Sequence, residues 1–170
     1  VETTDPAANL LKDSKFEKDG SWGASYYGEG GAEGTYTLKD GVATFDIKKV
    51  GTDEWHVQLK QSNIEFEDGC TYKLTLNAKS SAVRDIKVGL MDPDNGYKWY
   101  GGTQVSLKAN EVTPIEVVTD PVTASSKTIE FSVSMGPIKD AESAAALITL
   151  SDLSLVSDGA AAAQQAEHYL

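Results

Sequence analysis

The strongest constraint on how this chain can fold is a hydrophobic period of two that recurs along most of its length. In the clearest run, Tyr72, Leu74, Leu76 and Ala78 alternate with polar residues. Comparable runs lie at 43–47, 86–90, 115–117, 129–135 and 146–156. Because successive side chains of a β-strand point to opposite faces, each run predicts a strand with one buried and one exposed face.

Turn-forming residues separate these runs. They include Lys39-Asp40-Gly41, Glu67-Asp68-Gly69, Asp92–Gly96 and Asp120-Pro121, and glycine, aspartate and proline each favour the backbone angles of tight turns. The spacing predicts about nine short strands, with no long amphipathic helix to cover a parallel sheet. We therefore expect an all-β fold, an antiparallel β-sandwich jelly roll.

The two ends of the chain lack this alternation. Residues 1–8 are typical of a linker, and the alanine-rich segment 158–170 suits a linker or tail that can form a short helix. The remaining residues, 9–157, are predicted to form one β-sandwich domain, because a chain of 170 residues can bury a substantial core.

Charge and hydropathy exclude several kinds of partner. The net charge is −11 at pH 7, whereas a nucleic-acid-binding surface needs a basic patch. No apolar run approaches the roughly 20 residues that a membrane helix requires. We therefore expect no nucleic-acid and no membrane partner, and an extracellular protein, either secreted or at the cell surface.

Aromatic residues gather among polar residues rather than in the aliphatic runs. Segments 21–28, 53–61 and 94–102 together hold all three tryptophans and four of the seven tyrosines. A sugar presents apolar C–H faces that stack on flat rings, and hydroxyls that pair with planar polar groups. This mixture predicts a glycan-binding surface.

Strand alternation selects candidates within these segments. Tyr97 and Trp99 are two residues apart, so in a strand they share a face at a spacing of roughly 6.6 Å, although Trp99 can instead pack inward. Val57 and Leu59 predict a buried face, which leaves Gln58 exposed as a floor residue. Strict alternation buries Trp55 as well, so its use in a cleft needs a bulge or a position at the strand mouth.

Catalytic signatures are absent from the sequence. It has no GxSxG, HExxH, P-loop, EF-hand or CxxC motif, and most acidic residues lie in turns. His56 is expected to be a solvated strand residue, and the other histidine, His168, lies in the tail. The sequence thus favours a binding module over two alternatives, a small jelly-roll glycoside hydrolase and a structural surface sandwich.

Three segments in order carry a family resemblance: NLLKDSKFEKDGSWG at 9–23, EWHVQLKQSNIEFEDGCTYKLTLNAKSS at 54–81 and ITLSDLSL at 148–155. Over roughly 9–156 the chain resembles the carbohydrate-binding modules of families 4, 9 and 22. These are β-sandwich jelly rolls appended to plant-polysaccharide-degrading enzymes, and many bind single glycan chains in a cleft on the concave sheet.

The resemblance implies a non-catalytic module that targets a parent glycoside hydrolase or multi-modular enzyme to plant cell-wall polysaccharide. We expect its ligand to be β-glucan of the cellulose, mixed-linkage or xyloglucan type, with xylan as the alternative. No cofactor is expected for function.

The same resemblance assigns site residues. Trp55 and Gln58 match a sugar-contacting pair. The second aromatic contact of the family falls in a segment with three candidates, Tyr97, Trp99 and Tyr100. Arg84 offers a fork of donors to hydroxyls or, alternatively, makes a surface ion pair. The full set of expected ligand contacts is Trp55, Gln58, Arg84, Tyr97, Trp99, Tyr100, Gln104, Ser134 and Tyr26, with Tyr27 as a substitute for Tyr26 at the end of the cleft.

Many relatives also hold a structural calcium ion between an early Phe-Glu pair and an aspartate of the final strand. Here Phe16-Glu17 is present, while the final motif reads Leu150-Ser151-Asp152. The resemblance therefore implies Glu17 and, after a shift of one residue, Asp152 as possible calcium ligands.

Overall fold

The computed structural model describes residues 9–17, 22–138 and 144–157. The segments expected to be linker and tail, 1–8 and 158–170, lie outside the described residues. Ten strands are present in the described residues. They are β1 (Gly23–Tyr26), β2 (Ala32–Lys39), β3 (Val42–Val50), β4 (Val57–Phe66), β5 (Tyr72–Ser80), β6 (Arg84–Asp92), β7 (Lys98–Leu107), β8 (Thr113–Val118), β9 (Ser126–Ser134) and β10 (Leu147–Ser157).

The strands form two five-stranded sheets. The front sheet has the order β1-β4-β9-β6-β7 and the back sheet the order β2-β3-β10-β5-β8, with antiparallel pairing between neighbours in each. The expected antiparallel β-sandwich jelly roll is confirmed. About nine strands were expected; neither β1, with the sequence GASY, nor β2, with the sequence AEGTYTLK, carries one of the alternating runs identified in the sequence.

The core lies between the sheets and is built from the alternating positions that the sequence predicts. Phe45 and Leu74 from the back sheet, and Leu59, Ile86 and Phe131 from the front sheet, are all completely buried. Removing this much aliphatic and aromatic surface from water is the main source of stability for such a sandwich.

Trp22 is partly buried and packs against this core, unlike the exposed aromatics. Its ring lies 5.2 Å from that of Phe16 and 5.9 Å from that of Phe131, measured between centroids. Its indole N–H donates to the carbonyl of Asp13 at 2.8 Å. Trp22 therefore closes the sandwich against the N-terminal segment.

A β-bulge interrupts the pairing of β6 with β7. Leu90 pairs with Gly101 but Met91 pairs with Trp99, so Tyr100 is one extra residue on β7. An extra residue reverses the alternation beyond it, and bulges commonly re-aim a side chain in this way. The bulge turns Trp99 to the exposed face of the front sheet and Tyr100 toward the core.

The turn before β7 is held by a buried carboxylate. Asp92 is 1% exposed and accepts hydrogen bonds from the hydroxyls of Thr128 at 2.6 Å and Ser126 at 2.7 Å, both on β9. It also accepts from the amide of Asp94 at 3.2 Å. Burial raises the pKa of Asp92, but these hydrogen bonds and the charge of Lys98 together lower it below its ordinary value.

This lowered pKa makes the stability of the fold depend on pH. Above the ordinary aspartate value of 3.8 the carboxylate is ionised in both states and its hydrogen bonds stabilise the fold in full. Below it the unfolded chain takes up the proton first, so stability falls until the folded carboxyl is protonated too. We expect Asp92→Asn to lose about 1–3 kcal/mol of unfolding free energy at pH 7.

Urea unfolding of both proteins between pH 7 and pH 2 measures this effect. The gap between the wild type and Asp92→Asn should narrow as the pH falls through the folded pKa, which lies below 3.8. A gap that widens toward low pH contradicts the assignment.

No helix in the described ranges is long and apolar enough to cross a membrane.

Candidate functional site

A cleft runs across the exposed face of the front sheet. It encloses about 220 Å³, with Trp99 on one side and Trp55 on the other. Its lining residues are Glu54, Trp55, Lys87, Val88, Gly89, Met91, Trp99, Ser132 and Ser134. The two indoles are 54% and 46% exposed, so each offers a large aromatic surface to solvent on the same depression.

Cross-strand register orders the floor of this cleft. Gln58, Ser134, Lys87 and Gln104 stand opposite one another on β4, β9, β6 and β7. The next row has Lys60, Ser132, Gly89 and Gly102, and the third has Glu130, Met91 and Trp99. The floor thus has a first row of two amides, a hydroxyl and an ammonium. Beside it is a second row of a lysine and three small residues, and the indole of Trp99 borders the third row.

Trp55 reaches the cleft from a single turn of 3-10 helix, Glu54–His56, that immediately precedes β4. This is the strand-mouth position that its use in a cleft required. The ring of Tyr27 lies 4.8 Å from the indole and that of His56 lies 4.4 Å away in an edge-on arrangement. Such tilted and edge-to-face contacts are the favoured geometries of aromatic pairs.

His56 supports this aromatic wall from below. The sequence predicts a solvated strand residue, but its ring is buried. Its Nδ1 accepts from the amides of Thr52 at 3.0 Å and Asp53 at 3.2 Å, and its Nε2 lies 3.4 Å from the Asp53 carboxylate. Nδ1 therefore acts as the acceptor, Nε2 bears the proton, and the imidazole is fixed beneath Trp55 and Tyr27.

An ion pair joins the floor to the Trp55 turn. The ammonium of Lys87 lies 3.3 Å and 3.4 Å from the two carboxylate oxygens of Glu54. Backbone hydrogen bonds add to it, since the amides of Met135 and Gly136 donate to the carbonyls of Val57 and Glu54 at 2.7 Å and 2.9 Å. The wall that carries Trp55 is thereby tied to both β6 and the end of β9.

A second depression of about 610 Å³ lies beyond Trp55. It is lined by Thr52, Asp53, Glu54, Trp55, Pro137 and Ile138. Glu54 and Trp55 line both depressions, so the indole stands at the boundary between them.

The structure contradicts the ligand-binding role expected for Arg84. Its side chain is completely buried on the inner face of β6 and does not reach the cleft. The guanidinium donates to the carbonyls of Met135 at 2.6 Å, Gly136 at 3.0 Å and Ala144 at 2.8 Å. Burial lowers the pKa of Arg84 to about 10, which leaves it charged at neutral pH. It anchors the segment after β9 instead of meeting a ligand.

Two of the expected tyrosines are corrected as well. Tyr26 packs against the core, 6.1 Å from Phe45 between ring centroids, and its hydroxyl donates to the carbonyl of Thr35 at 2.6 Å. Tyr27, the substitute, is the residue that joins Trp55. Tyr100 also turns inward, with its ring edge-on to Phe66 at 5.5 Å. Neither Tyr26 nor Tyr100 lines the cleft.

The other expected contacts are placed near the cleft with different degrees of involvement. Ser134 lines it, and Gln58 is the half-buried cross-strand neighbour of Ser134. Gln104 lies one strand beyond Lys87, where its amide donates to the Asp85 carboxylate at 2.7 Å. Tyr97 is 69% exposed at the turn before β7 and is not a lining residue.

The expected calcium ligands are differently engaged. Asp152 accepts from the amide of Asn77 at 2.9 Å and lies 3.7 Å from the ammonium of Lys15. The described parts of the chain contain no group of three or more His, Cys, Asp and Glu side chains placed to hold a metal. Calcium binding at Glu17 and Asp152 stays a prediction.

Sequence reasoning missed several lining residues that alternation could have found. Lys87, Gly89 and Met91 alternate with the buried Ile86, Val88 and Leu90, and Ser132 lies between Phe131 and Val133. Once the inner face of β6 and β9 is known, these residues must lie on the outer face. Glu54 carries no such signal, because its position depends on the 3-10 turn.

The sequence matches a known protein family over most of its length. The model of the family described as carbohydrate binding domain, CBM_4_9, matches residues 8–143. No curated protein matches the sequence.

Solved structures are similar over nearly the whole chain. A CBM4 structure has a TM-score of 0.74 at 22% identity, covering 87% of this chain and 99% of its own. The N-terminal cellulose-binding domain of Cellulomonas fimi β-1,4-glucanase C has a TM-score of 0.66 at 17% identity, covering 89% and 98%. The CBM22-1 xylan-binding domain of Paenibacillus barcinonensis Xyn10C has a TM-score of 0.58 at 13% identity, covering 89% and 95%. At these identities the likeness establishes the fold.

Proposed function

Because this chain belongs to the carbohydrate binding domain family CBM_4_9, we propose that the cleft between Trp55 and Trp99 binds a single chain of plant cell-wall β-glucan. The glucan is of the cellulose, mixed-linkage or xyloglucan type. Its sugar rings stack on the two indoles, and its hydroxyls meet the polar row of Gln58, Ser134 and Lys87.

One observation carries this proposal. Two tryptophans that are each about half exposed border one depression of the front sheet, with hydroxyls, an ammonium and an amide between them. Exposed aromatic surface is unfavourable in water unless a partner covers it, so its concentration at one cleft supports ligand binding. Sugars are suited to this cleft because they combine an apolar face with a rim of hydroxyls.

Xylan is the second candidate ligand. Its backbone also presents stacked six-membered rings, and a fold of this kind occurs in a domain described as xylan-binding. The cellulose-binding domain of Cellulomonas fimi has the higher TM-score and supports glucan as the first candidate. The two backbones differ by a hydroxymethyl group on each sugar, which contacts along the floor must recognise.

The proposed module is non-catalytic and acts by targeting. An inverting or retaining glycosidase holds two carboxyl groups roughly 5 to 9.5 Å apart across the scissile bond. In the cleft described here, Glu54 is paired with Lys87, and serine, glycine, valine, methionine and tryptophan supply the remaining lining. Bound to polysaccharide outside the cell, the module raises the local concentration of an attached glycoside hydrolase or multi-modular enzyme.

Affinity electrophoresis tests this function. We expect the wild type to be retarded in gels containing mixed-linkage glucan, hydroxyethylcellulose or xyloglucan, and the Trp55→Ala, Trp99→Ala double variant to migrate freely. Tyr36→Ala is the matched control, because Tyr36 is also 48% exposed but lies on β2 in the back sheet. It should be retarded like the wild type.

Three results would decide against the proposed function. Retardation by xylan alone selects the second candidate. Absence of retardation by any glucan or xylan, with the fold intact by circular dichroism, rejects polysaccharide binding at this cleft. Release of reducing sugar from the same polysaccharides by pure protein, lost on one carboxylate substitution, would replace the binding module with a hydrolase.

A further inference from the structure

The exposed position of Trp99 depends on two glycines beneath it. Gly89 on β6 and Gly102 on β7 stand opposite each other on the outer face of the front sheet, next to the Met91 and Trp99 pair. A Cβ at Gly89 would lie 2.4 Å from Cη2 and 2.7 Å from Cζ3 of the indole. A Cβ at Gly102 would lie 2.3 Å from Cζ2. The six-membered ring of Trp99 therefore occupies the space where two side chains would otherwise stand.

Because the two glycines leave this space open, the indole of Trp99 can lie against the backbone of β6 and β7 at one side of the cleft. Carbon atoms in contact lie about 3.5–4.0 Å apart, so neither glycine can carry a methyl group while the ring stays in place. The ring is supported by the backbone of β6 and β7 on one side and is 54% exposed overall. A support of this kind limits the ring to one orientation before a ligand arrives, which reduces the entropy lost on binding.

Apart from the contact with Trp99, nothing around Gly89 requires a glycine at this position. Its backbone does not adopt the left-handed conformation that favours glycine, and the three atoms nearest to a Cβ there all belong to Trp99. Glycine also weakens a strand relative to alanine. Gly102 differs, because a Cβ there would also lie 2.5 Å from the carbonyl oxygen of Val88.

We infer that Gly89 is a positioning residue for glycan binding: its missing side chain seats the indole of Trp99 across β6 and β7 in the orientation that stacks on a sugar. This inference rests on the proposed function of the cleft. Gly89 does not contact the ligand itself. It affects binding only through the orientation of Trp99.

A double-mutant cycle tests the inference. We expect Gly89→Ala to lower affinity for cellohexaose or mixed-linkage glucan at least about tenfold, as Trp99→Ala does, and to have little further effect in the Trp99→Ala background. Gly23→Ala is the matched control. Gly23 lies in β1 of the same sheet, and a Cβ there meets the Lys60 side chain at an ordinary 3.5 Å. Its affinity should stay within twofold of the wild type.

A second measurement reports on the indole without ligand. In 15N-labelled protein the Nε1–H signal of Trp99, identified by its loss in Trp99→Ala, should shift in Gly89→Ala, while the signal of the core residue Trp22 stays in place. An unmoved Trp99 signal overturns the inference. So does full affinity of Gly89→Ala where Trp99→Ala has lost it. Full affinity of Trp99→Ala would instead show that the proposed cleft is wrong.

Discussion

Replacing either tryptophan of the cleft with alanine will lower the affinity for a soluble β-glucan oligosaccharide at least about tenfold, and replacing both will abolish measurable binding. The reason is that each indole supplies a separate stacking surface, Trp55 on the turn before β4 and Trp99 on β7. Central aromatic residues commonly dominate the binding energy of an interface. Isothermal titration calorimetry with cellohexaose, on the wild type and both single variants, measures the loss.

The two losses should be close to additive in free energy, because the indoles belong to different elements and no ring contact joins them within the described residues. The melting temperature serves as the control, and we expect Trp99→Ala to change it little since the ring lies on the outer face. Wild-type affinity in both variants would remove the cleft as the binding site. A loss that simply follows a fall in melting temperature would assign the tryptophans a structural role.

Arg84→Ala will destabilise the fold by about 3 kcal/mol without a specific effect on glycan binding. The substitution leaves the carbonyls of Met135, Gly136 and Ala144 without their donor and opens a cavity where a large side chain was fully buried. For a domain of this size, the expected fall in melting temperature is roughly 6–12 °C. Differential scanning calorimetry measures it.

Two further variants sharpen this test. Arg84→Lys keeps a charge but loses the planar fork that reaches several carbonyls, so it should recover only part of the stability. Lys73→Ala removes a cation from an exposed pair with Glu116 on the back sheet and should cost less than about 1 kcal/mol. A stable Arg84→Ala protein that fails to bind glucan at low temperature would restore the ligand-binding role and contradict the buried anchor.

The fold followed from the sequence because its strands carry their own signal. Runs such as Tyr72–Ala78 and Ile129–Met135 alternate with a period of two, and that period also determines which face is buried. No predicted run covers β1 or β2; β1 has the sequence GASY and is held by backbone pairing with β4, and β2 pairs with β3. A short strand of small residues lacks the pattern on which the prediction depends.

The site could be predicted only where it followed the same alternation. Gln58 and Ser134 face outward as their strands require, and the position of Trp55 at the strand mouth satisfied a condition that the sequence had set. Arg84 fails for the opposite reason: it occupies an inner position of β6, in step with Ile86 and Val88, and alternation alone assigns it to the core. The family resemblance matched Arg84 to a ligand-binding position but did not show which face of β6 its side chain occupies.

Contacts between distant segments explain the remaining errors. His56 is buried because a 3-10 turn folds it under Tyr27 and Trp55. Gly30 and Gly51 lie beside its side chain, and neither position has room for a Cβ atom next to it. No local pattern around residue 56 predicts that arrangement. Tyr26 and Tyr27 are neighbours with opposite fates, since one enters the core and the other joins the wall.

The extra residue in β7 makes chain length, as well as residue identity, a determinant of which aromatic the protein displays. Counting back from Gln104 and Gly102 without the bulge, Tyr100 faces outward and Trp99 inward; with it, the two exchange. If the turn before β7 were one residue shorter and the bulge were lost, Tyr100 would pair with Met91 on the outer face and the smaller ring would replace the larger one in the cleft. The length of that turn therefore determines which ring the front sheet presents to solvent, with no substitution in the aromatic residues themselves.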